Sequence, residues 1–208
     1  IDADIYGPSI PHLFEMQKTG FEVDEKNRIY PPKSHNIPLI STEFFLENDE
    51  PLMWRGPMLN RMLNHFFNDV VWDKELDFML IDLPPGTGDV PLTVFQSLPV
   101  DGIVVVTSPQ DLVKMIVKKA LNMANMMNIP VLGLVENYSF IKCPDCGKEF
   151  AVFGTSTIDE VAAAVELPVL GKLPIDLSLA ELADAGDYAQ ANVEYLKPAL
   201  DAVVKFEV

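Results

Sequence analysis

The chain has 208 residues, 49% of them hydrophobic, a composition that supports a folded core and excludes global disorder. Asp and Glu number 31 against 15 Lys and Arg, so the net charge is -16 and excludes binding of nucleic acid or anionic membrane through bulk charge. The sequence shows no bilayer-spanning apolar run, no signal-peptide pattern and only two cysteines. We therefore expect a cytoplasmic protein without a nucleic-acid or membrane partner.

Predicted strands and helices alternate along the chain. The hydrophobic pattern predicts a strand pair within 21–42, strands at 77–83, 102–107, 130–136 and 169–170, and helices at 57–71, 110–127, 155–166, 177–186 and 191–205. We interpret the alternation as an α/β fold with a mostly parallel sheet flanked by helices, in one domain over residues 1–208. Ligands of such sheets bind beyond the carboxyl ends of the strands, so the residues that follow each strand matter most.

Three helix details follow from the same pattern. Ser108 and Pro109 suit the N-cap and first turn of the helix at 110–127, and Thr155 suits the N-cap of the next helix. The residues expected to face the core from the helix at 110–127 are Leu112, Val113, Ile116, Val117, Ala120, Leu121 and Ala124.

Two carboxylates, Asp2 and Asp4, stand at the end of an expected strand that is already under way at Ile1. Side chains two residues apart in extended backbone point to the same side. The pair is therefore suited to holding a hydrated Mg²⁺ ion or orienting a water molecule. A solvated turn with a helix cap is the alternative.

The second acidic position, Asp82, ends the apolar run at 77–83 and opens a Pro-Pro-Gly-Thr-Gly loop. An Asp after an apolar strand is the Walker B arrangement, whose carboxylate anchors Mg²⁺ beside nucleotide phosphates. Gly86 is placed to offer its backbone N–H to a γ-phosphate, as a switch loop does. A tight turn into a helix capped by Asp89 is the alternative.

Asn137 follows the strand at 130–136, and its amide offers the donor and acceptor that adenine recognition requires, although Asn is equally common in turns. Cys143 and Cys146 then form a C-x-x-C motif at 143–146, which presents two thiolates to one soft metal. A closed tetrahedral site needs four ligands, and no further cysteine exists. A two-fold homodimer is the simplest completion, holding Zn²⁺ or a [4Fe–4S] cluster. A dithiol redox pair ranks below it.

Taken in order, these motifs resemble the Mrp/ApbC-type family of iron–sulfur cluster carriers, a deviant-Walker-A branch of the P-loop NTPases related to MinD and ParA. The resemblance covers essentially all 208 residues. The stretches that carry it are 2–11, 54–58, 81–89, 107–110, 135–137, 143–146 and 170–174.

The resemblance implies a three-layer P-loop NTPase-like fold and a set of roles. It implies that Asp4 is the switch I carboxylate near the attacking water, with Asp2 in support, and that Asp82 is the Walker B aspartate. The remaining implied positions are Gly86 in switch II, Asn137 and Pro174 at the adenine, and Cys143 and Cys146 as cluster ligands shared across a homodimer. The implied cofactors are ATP, Mg²⁺ and a labile [4Fe–4S] cluster. The implied activities are slow ATP hydrolysis and delivery of the cluster to apo Fe–S proteins.

The family's phosphate-binding loop, of the Gly-Lys-Gly-Gly-Val-Gly-Lys-Ser/Thr type, does not occur in these 208 residues. In the family it precedes the D-x-D strand, so we expect its strand and helix to lie before Ile1. Without its backbone N–H groups and lysines, no useful ATP affinity is expected. Two rival hypotheses remain: a catalytically inactive metal-binding dimer that lacks the P-loop, and a MinD/ParA-like regulatory ATPase.

Overall fold

Helices and strands alternate in the computed structural model, which describes residues 1–16, 20–45, 56–109 and 113–206. This order confirms the predicted α/β class. Two compact units are formed. The first comprises Ile1–Leu98 and Ser178–Ala191, and the second comprises Pro99–Leu177 and Asn192–Val208.

The first unit opens with a short helix and two small antiparallel hairpins. Helix α1 spans Ile10–Leu13, β1 (Glu22–Val23) pairs with β2 (Ile29–Tyr30), and β3 (Lys33–Ser34) pairs with β4 (Ile37–Pro38). The single strand pair expected within 21–42 is therefore two hairpins. Prolines 31 and 32 separate them because proline has no N–H to donate to a ladder.

Helices α2 (Gly56–Asn68) and α3 (Asp89–Ser97) pack together in this unit. The spacing of apolar residues in α2 places Leu59, Leu63 and Phe66 on one buried face, as the sequence predicts. Val94 of α3 is buried as well. The Trp54-Arg55 part of the motif at 54–58 lies outside the described residues.

The prediction of a strand at 77–83 is wrong. This segment makes a single isolated parallel bridge between Asp82 and Asp2, through Ala3 N–H to Asp82 O at 2.8 Å and Asp82 N–H to Ile1 O at 2.9 Å. Leu80 is 73% exposed, so the described residues leave one side of this apolar run uncovered. Because the segment at 77–83 pairs, within the described residues, with a neighbour on one side only, and over few residues, it forms an isolated bridge instead of a strand in a sheet.

The second unit contains the sheet. Its strands are β5 (Ile103–Thr107), β6 (Val131–Lys142), β7 (Glu149–Phe150) and β8 (Val169–Pro174). β6 pairs in parallel with β5 on one side and β8 on the other, and its last residues pair antiparallel with β7. β6 runs six residues beyond the predicted strand at 130–136, because the hairpin with β7 prolongs it. β8 is likewise longer than predicted.

Helices α4 (Val113–Met126) and α5 (Ile158–Ala164) cover this sheet, and α7 (Lys197–Val204) contacts β8. From Ser178 onward, α6 (Leu177–Ala185) belongs to the first unit. The predicted start of the helix at 110–127 lies at residues 110–112, outside the described part of the chain. The core of the unit consists of Val105, Val117, Leu134, Ile158, Val161 and Ala162.

Two details of these helices differ from the prediction. Ile116 is 40% exposed although its spacing predicts a core position, whereas Val117 and Ala124 are buried as expected. Thr155 does not cap α5, because the helix begins at Ile158 and Ser156 Oγ accepts the Ile158 N–H at 3.3 Å.

Candidate functional site

Three acidic residues lie near one another in the first unit. The Asp2–Asp82 bridge sets these two residues side by side, and Asp4 lies close enough for its charge to act on Asp82. The pKa of Asp82 is raised, chiefly by burial and then by the negative charge of Asp4. The structure thus groups the three acidic residues that the sequence singled out.

Asp2 is the most buried of the three, with 1% of its surface exposed. Its Oδ2 accepts a hydrogen bond from Ser41 Oγ at 3.1 Å, and its Oδ1 is buried without a hydrogen-bond partner among the described residues. Burial and then the charge of Asp82 raise its pKa to about 6, while the Ser41 bond and the nearby backbone N–H groups of Ile10 and Asp4 oppose the rise. A buried carboxylate oxygen without a partner fits a hard cation such as Mg²⁺, which prefers oxygen ligands.

Ser41 is a site residue that the sequence reasoning missed. It is fully buried between Ile40 and Thr42, and the Thr42 hydroxyl donates to Ile5 O at 3.4 Å. Asp2 N–H donates to Ile40 O at 2.9 Å, so this segment supports the Asp2 strand along its length. The sequence signal that could have identified Ser41 is the pair of hydroxyl residues, Ser41 and Thr42, directly after two apolar residues.

Asp4 is half-buried, and its Oδ1 accepts the Gly7 N–H at 3.2 Å. This bond closes the chain on itself directly after the Asp2 strand. One Asp4 oxygen therefore orders its own loop.

The loop between Asp82 and α3 is exposed over residues 85–89. Gly86 has a φ of +95°, a conformation that L side chains rarely adopt, so glycine suits this position. α3 begins at Asp89 with Gly88 at the N-cap. The loop does turn directly into a helix, with Asp89 in the first turn of that helix instead of at the N-cap position.

In the second unit, Asn137 and Pro174 lie on the neighbouring strands β6 and β8. The register pairs Phe140 with Pro174, and both Asn137 and Pro174 are half-buried. Asn137 Oδ1 accepts the N–H of Tyr138, whose φ of +59° marks a left-handed turn of the strand. This local bond holds the Asn137 side chain against its own backbone.

The end of β6, the C-x-x-C turn and β7 form a largely exposed element, residues 141–150, which we call the cysteine hairpin. Ile141 pairs with Phe150 and Lys142 with Glu149. The turn is closed by Cys143 N–H to Lys148 O and by Gly147 N–H to Cys143 O, both at 2.9 Å. Gly147 supplies the φ of +70° that this turn requires.

Both thiols of the cysteine hairpin are free; Cys143 is half-buried and Cys146 exposed. The backbone N–H of Cys146, then that of Asp145, and then the Cys146 thiol donate to the Cys143 sulfur and lower its pKa. The exposed Lys142 and Lys148 flank the pair, and Asp145 and Glu149 bring an equal number of negative charges to the same hairpin. A stabilised thiolate is the form of cysteine that binds metal, so this turn is a preformed pair of soft ligands.

The site residues are divided between the two units. Asp2, Asp4, Asp82 and Gly86 belong to the first, and Asn137, Pro174, Cys143 and Cys146 to the second. Among the residues that the structure describes, no group of three or more His, Cys, Asp and Glu side chains is able to hold a metal ion. In the same ranges, no helix has both the length and the apolar character needed to cross a membrane.

Comparison with known proteins identifies the class. A family model described as ParA, NUBPL iron-transfer P-loop NTPase, matches residues 1–205. The chain therefore belongs to this family of P-loop NTPases, which confirms the resemblance to the Mrp/ApbC-type proteins and the predicted fold.

Individual relatives support the same family membership. The chain is 43% identical over 188 residues to the iron-sulfur cluster carrier protein of Aquifex aeolicus, covering 90% of this chain and 51% of the relative. It is 41% identical over 206 residues to the iron-sulfur cluster carrier protein of Clostridium perfringens, covering 94% and 72%. The solved nucleotide-binding protein of Archaeoglobus fulgidus in complex with ADP matches with a TM-score of 0.81 and 35% identity, covering 94% of this chain and 76% of that one. The chain thus spans about half the length of the Aquifex protein.

Proposed function

We propose that the chain carries an iron–sulfur cluster and hands it to apo Fe–S proteins in the cytoplasm. The observation that carries this proposal is the cysteine hairpin, where backbone N–H groups stabilise the Cys143 thiolate beside an exposed Cys146. A cargo site has to be exposed, and the thiolate is the form of cysteine that ligates a metal or cluster. The names of the relatives support the same function.

The proposed cargo is a [4Fe–4S] cluster at a homodimer interface. Such a cluster takes four thiolates, whereas each chain has two cysteines. A two-fold axis through the hairpins supplies the other pair, because an isologous contact repeats the same residues on both sides. Zn²⁺ fits the same ligands, and iron and sulfide analysis separates the two.

Asp2, Asp4 and Asp82 are proposed to form the nucleotide-binding site of a single P-loop NTPase-like domain over residues 1–208. Asp82 and Asp2 would hold Mg²⁺, whose charge neutralises the phosphates of ATP, and Asp4 would orient the attacking water. The proposed contacts to the nucleotide are the Gly86 N–H at the γ-phosphate, Asn137 at adenine and Pro174 beside the base. We propose slow ATP hydrolysis as an activity of the whole protein.

The test is anaerobic reconstitution with iron and sulfide, followed by analysis of both elements and of the visible absorption. The wild-type chain should take up about two iron atoms per chain, as a cluster shared by two chains requires. Cys146→Ala should lose the cluster. Asp145→Ala is the matched control, because it keeps the backbone N–H that donates to Cys143 and removes no ligand. Full cluster content in the Cys146→Ala protein would contradict the shared site.

The proposed ATP hydrolysis is tested with a substitution at Asp82 in the whole protein. Asp82→Asn should keep the cluster and lower ATP turnover by roughly 10²-fold, because one Mg²⁺-anchoring charge is lost. Cys146→Ala should leave turnover nearly unchanged. Iron uptake without any wild-type turnover would favour an inactive metal-binding dimer, and turnover without iron uptake would favour a regulatory ATPase.

A further inference from the structure

Glu136 is a fully buried carboxylate on β6, one residue before Asn137. Burying a carboxylate is costly unless its oxygens are hydrogen-bonded, so its partners show what the residue holds in place. Both carboxylate oxygens have a serine hydroxyl as donor. Ser139 Oγ donates to Oε2, and Ser156 Oγ donates to Oε1 at 2.8 Å.

The two serines lie on opposite sides of the cysteine hairpin in the sequence. Ser139 is buried on the strand that leads into the hairpin. Ser156 lies on the segment that returns from it, and Ser156 Oγ also accepts the N–H of Ile158 at the start of α5. The segment 140–155 between them contains both cysteines. One carboxylate therefore ties down the chain as it enters and as it leaves the hairpin.

The cysteine hairpin needs such an anchor because its own ladder is short. Only two residue pairs, Ile141 with Phe150 and Lys142 with Glu149, join its strands. An isolated two-stranded hairpin is at best marginally stable in water. The direction in which the hairpin leaves the sheet therefore depends on the bonds at its base.

We propose that Glu136 is a positioning residue that holds both the segment entering and the segment leaving the cysteine hairpin, so that the thiolates of two chains converge on one metal or cluster. Charge-assisted hydrogen bonds are the strongest kind available for this purpose in a buried site. This inference rests on the proposed function for the shared site. The anchoring itself concerns this chain alone.

The experiment uses Co²⁺ as the probe, because four thiolates around Co²⁺ give intense sulfur-to-metal charge-transfer absorption. Glu136→Ala should weaken Co²⁺ binding by about 10-fold or more, the usual effect of removing a residue that orients metal ligands. Glu136→Gln should restore the affinity to within about threefold, because a side-chain amide still pairs with both hydroxyls. Thr157→Ala is the control, since Thr157 makes no capping bond to α5.

A second readout needs no metal. Amide hydrogen exchange of residues 141–150 should be at least several-fold faster in Glu136→Ala than in wild type, with Glu136→Gln close to wild type. The Cys143 thiol titration should stay unchanged, because its donors lie within the turn. If Glu136→Ala does not fold, Ser156→Ala replaces it. That change releases the segment that returns from the hairpin and keeps the carboxylate bonded to Ser139.

The possible outcomes distinguish the anchoring role of Glu136 from the proposed function. Hairpin exchange and Co²⁺ affinity equal to wild type in Glu136→Ala or Ser156→Ala would overturn the anchoring role. A wild-type chain that takes up no iron and sulfide would refute the proposed function, and the exchange rates would still decide the anchoring.

Discussion

At the scale of single residues, Asp2 shows a conflict between stability and ligand binding. Its carboxylate is buried beside Asp82, and one of its oxygens has no partner among the described residues. A buried, incompletely bonded charge destabilises a fold. Retaining it is reasonable if a cation occupies that position in the working protein.

The first prediction concerns the pH dependence of stability without Mg²⁺. Folding raises the pKa of Asp2 from 3.8 to about 6, so the folded state binds the proton more tightly than the unfolded state. The free energy of unfolding should therefore fall as pH rises from about 4 to about 6. Asp2→Asn should reduce this fall, leaving the part that the raised pKa of Asp82 contributes, and gain about 1–3 kcal/mol at pH 7.5.

Urea unfolding at a series of pH values measures this effect. Asp101→Asn, at an exposed position, controls for the loss of one negative charge. A steeper decline in the Asp2→Asn protein, or lower stability at pH 7.5, would show that the buried carboxylate is not the source.

At the scale of elements, β6 joins the parts of the second unit. It pairs with β5, β7 and β8 and carries Glu136, Asn137 and the approach to Cys143. Its close contact with β8 depends on Gly133. The Leu134 N–H donates to Pro168 O at 2.9 Å, and a Cβ on Gly133 would lie 2.7 Å from that oxygen.

The corresponding prediction is that Gly133→Ala destabilises the protein by about 1–3 kcal/mol, because a backbone carbonyl cannot move aside as a side chain does. Denaturant unfolding measures the loss. Gly20→Ala is the control, because a Cβ there meets no atom of the described residues within 4 Å. Equal stability of the two variants would mean that β6 and β8 separate without cost.

At the scale of the whole molecule, the charge of -16 opposes self-association. Two such chains repel each other over the Debye length, which is about 10 Å at 0.1 M salt and shorter at higher salt. The proposed dimer must therefore derive its stability from the shared metal or cluster and from local contacts around the hairpins.

We accordingly expect the mass of the metal-loaded chain in analytical ultracentrifugation to be twice that of the metal-free chain. The dimer should tighten severalfold between about 0.05 and 0.5 M NaCl, since salt screens the repulsion. Cys146→Ala should remain monomeric at both salt concentrations. A metal-loaded monomer would contradict the shared site.

The amino-acid sequence by itself determined the α/β class, the strand β5, the buried face of α2 and the positions of the C-x-x-C and Asp82 motifs. These features are local, because side chains repeat every two residues in a strand and every 3.6 in a helix. The tertiary structure alone decided that 77–83 makes a bridge instead of a strand, because a ladder depends on partners elsewhere in the chain. It also decided that Ser41 supports Asp2 and that Ser156 meets Glu136, since contacts 39 and 20 residues apart leave no periodic trace in the sequence.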